Sequence, residues 1–109
     1  MTRASDVRKF EKYPVETWAI ETDFAAELRK LGPDVTLSSG VVTARQGTTD
    51  ATATVLASGT ATKIGTRLQF TVKAGSDDVV YEIQLDATAS DSSVLTEQFE
   101  MTILASRKP

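Results

Sequence analysis

The chain holds 109 residues with no histidine and no cysteine, so the side chains left with any prospect of chemistry are carboxylates, hydroxyls, lysines and a few aromatics. Without imidazole or thiol there is no His-activated nucleophile, no thiolate and no zinc set of the Cys/His kind. Among the carboxylates, Glu82, Glu97 and Glu100 are the material from which a glycosidase-like acid and base would be drawn. Asp34, Asp50, Asp77, Asp78 and Asp91 offer the oxygen donors that calcium takes. Neither group has motif spacing. The aspartates fall in turn segments, where a short carboxylate bonds nearby backbone N–H groups for its own reasons, and none stands in an EF-hand pattern. The glutamates lie on strands of alternating polarity, whose polar face is ordinarily solvated. Ser39 precedes Gly40 but lacks the Gly-x-Ser-x-Gly elbow and any base to activate it, so it is read as a bend residue. No catalytic, cofactor-binding or metal-ligating residue is assigned, no cofactor is expected, and the chain is read as non-enzymatic.

Two aromatics and the basic start complete the list. Tyr81 stands at the head of the penultimate strand, where a tyrosine corner of sandwich folds would bond back to nearby backbone; a plain core tyrosine reads equally well there. Trp18, the sole tryptophan, sits on an alternating strand and is read as core rather than as an interface anchor. Arg3, Arg8, Lys9 and Lys12 form a basic start, read as a solvated tail that would serve, with Arg107 and Lys108, as ties to acidic partner subunits in an assembly.

With 12 Lys+Arg against 15 Asp+Glu, net charge −3, a phosphate backbone is not the expected partner. No apolar run approaches the roughly 20 residues of a membrane span, and no apolar stretch follows the basic start as in a secretory signal. No nucleic-acid or membrane partner is expected, and synthesis in the cytoplasm is.

The elements that position these residues read as follows. Residues 1–12 and 106–109 are polar without periodicity, an expected flexible N-terminal arm and flexible C-terminus around a domain at 13–105. Trp18 and Ile20 alternate with polar neighbours as a strand. Asp23 stands as an N-cap for a short helix over 24–31, with Phe24, Leu28 and Leu31 on one face and Gly32-Pro33 as its stop. From Val35 onward the chain turns rich in Thr, Val, Ala and Ser. Val35 to Gln46 is one bent strand or two, with Ser38-Ser39-Gly40 at the bend. Ala51, Ala53, Val55 and Ala57 alternate as a strand. So do Leu68, Phe70, Val72 and Ala74. Tyr81, Ile83, Leu85, Ala87 and Ala89 follow, then Phe99, Met101 and Ile103. About seven short strands at such spacing predict an all-β, antiparallel, immunoglobulin-like sandwich; a small closed barrel shares the pattern.

These residues also resemble a family of small phage and prophage virion proteins of immunoglobulin-like fold, the tail or fibre-tail adaptor proteins. The likeness rests on Lys12-Tyr13-Pro14, ETWAIETDF over 16–24, ATATVL over 51–56, GSDDVVYEIQLDATA over 75–89 and SSVLTEQFEMTI over 92–103. The helix-like segment at 24–31 is longer than the turn usual in that family. The resemblance implies a structural virion protein, made in the host cytoplasm. Its partners would be other virion or tail proteins, with homo-oligomerisation possible within an assembly. The alternative is an adhesion or carbohydrate-binding β-sandwich module of a bacterial surface protein, against which the missing signal pattern and the single tryptophan stand.

Overall fold

The structure, a computed structural model, describes residues 7–105; the expected flexibility of 1–6 and 106–109 lies outside them. Its strands are β1 (Arg8–Lys12), β2 (Trp18–Asp23), β3 (Leu37–Gln46), β4 (Thr49–Asp50), β5 (Thr62–Ile64), β6 (Arg67–Val72), β7 (Val80–Ala89) and β8 (Val94–Ile103). Two short helices, α1 (Ala25–Leu31) and α2 (Thr52–Val55), interrupt them. The alternating stripes read from the sequence face inward. Leu68, Phe70 and Val72 of β6, Tyr81 to Ala89 at every second position of β7, and Phe99, Met101 and Ile103 of β8 are all buried. Each Val, Leu, Ile, Phe or Met side chain among them contributes about 1.5–3 kcal/mol relative to exposure. Phe70 and Phe99 meet edge to face across the layer, ring centroids 5.3 Å apart.

Pairing sorts the strands into one sheet of order β1-β8-β7-β3-β4 and another of order β2-β6-β5. The central β3, β7 and β8 facing β2, β6 and β5 is the arrangement of an immunoglobulin-like sandwich. Within β3 the register shifts between Leu37 and Ser39, so the stretch is one bulged strand. Gly40 follows the bulge because a Cβ there would drive into the Leu68 isobutyl group. Helix α1 starts one residue later than expected, with Phe24 rather than Asp23 at the N-cap position; the Asp23 carboxylate accepts the Ala25 N–H at 2.9 Å and the Thr66 hydroxyl at 2.8 Å just ahead of it. Phe24 and Leu28 are buried, whereas Leu31 stays 37% exposed at the last turn.

Four expectations are corrected. Arg8–Lys12, expected within the flexible arm, is a strand, and it pairs parallel with β8, so the larger sheet is not wholly antiparallel. Its inward positions Arg8, Phe10 and Lys12 lay long side chains against the core, with only Phe10 apolar, which hides the alternation from a hydrophobic reading. The stretch 51–57, expected as a strand, winds into α2. Asp50 accepts both the N–H and the hydroxyl of Thr52, and Ala51 and Val55, four apart, are buried together. Trp18, expected in the core, is 36% exposed. Strands β4 and β5, two and three residues long, were not foreseen and bring the strands among the described residues to eight.

Candidate interaction surface at the open edge

The two sides of the sandwich are sealed by different means. On one side the chain between β4 and β6 runs from sheet to sheet with backbone bonds at every step. Gly59 accepts the Val42 N–H at 2.9 Å and Gly40 accepts the Ala61 N–H at 3.0 Å. Farther on, Thr71 accepts from Ala57 at 3.0 Å and Val55 accepts from Lys73 at 2.8 Å. Both sheets are thereby joined through continuous main chain.

On the other side β1 ends the larger sheet and β2 ends the smaller one, and beyond the turn at 13–17 that links them, side chains bridge the two among the described residues. The Arg8 guanidinium lies over the Phe99 ring, 5.0 Å from its centroid, and donates to the Thr22 hydroxyl at 3.1 Å. Phe10 stacks on Trp18 with centroids 5.8 Å apart. Trp18 has inward parity, opposite the buried Val72, and shows itself to solvent because no strand among the described residues covers this seam. A basic strand with one aromatic at its centre was the only sequence signal for it.

Lys12 fixes the lower end of the seam. It is 1% exposed, and its ammonium donates to the Tyr13 carbonyl at 2.9 Å and the Ala74 carbonyl at 2.6 Å. Loss of hydration holds its pKa below the ordinary lysine value, partly offset by the Glu16 carboxylate. Glu16 in turn accepts the Tyr13 N–H at 2.7 Å, closing the turn between β1 and β2. Beside it Ala74 and Gly75 take left-handed backbone, φ 50° and 101°. Gly75 has no room for a Cβ against Ile103. The Tyr81 hydroxyl accepts the Ser76 N–H at 3.1 Å, five residues upstream, which settles the two readings of this residue in favour of the tyrosine corner.

The aspartates singled out from the sequence are not gathered at one site. Asp50 and Asp91 are spent on their own turns, the latter accepting from Ser93 N–H at 2.9 Å. These bonds hold their pKa values, and that of Asp23, below the ordinary aspartate range. Asp34 follows α1, and Asp77 and Asp78 sit in the loop before β7. No group of three potential metal ligands exists among the described residues. Glu97 is buried with the inward parity of β8, opposite Leu85, on the other face from Glu82 and Glu100. Those two stand directly opposite each other on β7 and β8. Flanking cations complete a row across the sheet, Lys9 at 4.0 Å from Glu100 and Arg45 at 3.9 Å from Glu82. Above this row lies an open cleft of about 380 Å³ whose polar lining includes Thr43, Gln84 and Gln98. Ser39 is an exposed residue of the bulge in β3.

Compared with known proteins, the chain matches no family, no curated protein and no solved structure.

Proposed function

We propose that this protein is a non-enzymatic structural component of a phage or prophage virion, a tail or fibre-tail adaptor that works by protein–protein contact. The observation that carries the contact mechanism is the open seam. Two sheet edges with no further strand beyond them among the described residues meet there, and Phe10 and Trp18 stand between them. Such an edge takes a further strand by main-chain hydrogen bonding while side-chain pockets select it. The virion setting draws its support from the residue patterns at 12–24 and 75–103, together with a sandwich whose carboxylates serve turns and sheet rows. Its partners on this reading are neighbouring tail subunits, and its location is the virion after synthesis in host cytoplasm.

The test is to translate the reading frames on either side of the gene and measure binding of their purified products to this chain. Tail-tube, portal or fibre frames whose products bind, with binding weakened by Trp18→Ala, support the proposal. Neighbours encoding secreted or polysaccharide-processing proteins overturn it. One observation favours a second reading, a carbohydrate-binding module. The cleft over the larger sheet is lined by amide, hydroxyl and charged side chains of the kind that bond sugar hydroxyls. Saturable binding on a glycan array, abolished by Gln84→Ala with Gln98→Ala, would select that reading instead.

A further inference from the structure

The free edge of β1 carries a pattern that fits a second copy of itself. In a parallel ladder each residue sends its N–H and C=O to the same side, and successive residues alternate sides. The Lys12 carbonyl accepts the Leu104 N–H at 2.8 Å, so Arg8, Phe10 and Lys12 bond to β8. Lys9 and Glu11 therefore present their N–H and C=O outward. Both are exposed, and among the described residues no strand lies beyond this edge to bond to them.

We propose that two copies of this chain pair antiparallel through β1, about a two-fold axis at Phe10. That register sets Lys9 opposite the second copy's Glu11, and Glu11 opposite the second copy's Lys9. These are the residues whose backbone groups point outward, and directly opposed residues that exchange both N–H···O bonds form the narrow pairs of an antiparallel ladder. Four main-chain bonds and two ion pairs therefore come from one register. The ammonium of Lys9 is held loosely by Glu100, at 4.0 Å with the side chain 73% exposed, and remains able to turn to the new carboxylate. On the inner side the two Phe10 rings meet at the axis, each already stacked on its own Trp18, so the aromatic lip is covered. Arg8 and Lys12, which face each other as like charges in this register, are engaged within their own domain by Thr22, Phe99 and the Tyr13 and Ala74 carbonyls. The contact is isologous and closed, as two-fold dimers are. It names a partner for the open seam and does not depend on the virion reading, because it needs no other protein.

The test is sedimentation equilibrium of the whole chain from micromolar to millimolar concentration, with charge-reversed variants. Lys9→Glu alone and Glu11→Lys alone each place like charges in both cross-strand pairs. Each is expected to weaken self-association about tenfold or more. Mixing the two single variants restores complementarity and is expected to give the heterodimer, and the double reversal Lys9→Glu with Glu11→Lys is expected to self-associate as the parent does. Far-UV circular dichroism confirms that each variant is folded. A parent chain that stays monomeric at millimolar concentration overturns the proposal, as does association that ignores the single reversals or fails to return on mixing.

Discussion

The two seams of this sandwich are bounded by edges of the same two sheets, yet one is closed along its length by backbone hydrogen bonds and the other, beyond the turn at 13–17, by side chains. Across the closed seam, Gly40, Val42, Gly59 and Ala61 exchange backbone bonds whose loss would strand buried polar groups. Across the open seam a guanidinium, a hydroxyl and two stacked rings do the joining, and each of these can let go without orphaning the backbone. The lesson is that a β-sandwich places its stability and its availability to partners on opposite sides. Strand pairing commits a side; side-chain bridging leaves it open to exchange.

This contrast has measurable consequences. The largest belongs to the closed side. Leu56→Ala removes a residue 2% exposed beside the β6 junction and is expected to lower stability by about 2–5 kcal/mol, read by urea denaturation. At the open side Trp18→Ala should cost about 1–2.5 kcal/mol, less than Leu56→Ala, since the ring is already partly exposed and loses one stack; a loss exceeding that of Leu56→Ala would erase the distinction between the seams.

Lys12 sharpens the comparison through pH. Its folded-state pKa is lowered, so the folded chain sheds this proton at lower pH than the unfolded chain does. Stability must then rise as pH climbs from the lowered value to the ordinary lysine value, because over that window the unfolded state binds more protons. The rise should be absent from the stability curve of Lys12→Met, whose thioether carries no proton, and should therefore stand out in the difference between the two curves. A difference curve that is flat across alkaline pH would mean that the ammonium is not desolvated at the foot of the open seam.

The smallest effect comes from the turns. Asp23 is held low by the Ala25 N–H, Asp50 by the Thr52 hydroxyl and Asp91 by the Ser93 N–H. Their stabilisation is complete above the ordinary aspartate value and fades as pH falls through their lowered values. Asp23→Asn and Asp50→Asn should therefore each flatten the acid limb of the stability curve slightly, as followed by thermal melts from neutral pH downward, and leave the neutral-to-alkaline limb unchanged.

How much of this was legible in the sequence follows from where hydrophobicity and position agree. Strands β6, β7 and β8 bury every second residue, so the stripes Leu68 to Val72, Tyr81 to Ala89 and Phe99 to Ile103 gave the core directly. Helix α1 was marked by Asp23 and by Phe24 and Leu28 four apart. The Tyr81 position on β7 pointed to the corner, and the structure supplied its partner. The open seam was illegible for a physical reason: Arg8 and Lys12 point inward by their aliphatic stems, so β1 carries no apolar alternation. Trp18 has a core residue's parity but no strand among the described residues to cover it. Residues 51–57 misled because Ala-Thr alternation suits a strand and a single helical turn equally, and the Asp50–Thr52 bonds decide between them. Strands β4 and β5 are too short to show any period.

The parallel register of β1 on β8 also governs how the molecule bears load. Arg8 aligns with Phe99 and Lys12 with Ile103, so a pull on the chain before Arg8 and a pull on the chain after Ile103 act in opposite directions along the two strands. Tension transmitted through the backbone then shears all the rungs together instead of unzipping them one by one. Forced unfolding is governed by the rate of crossing that barrier, and the edge that yields readily to a partner sideways is expected to be the mechanical clamp lengthwise, which a single-molecule pulling trace would register as one abrupt rupture.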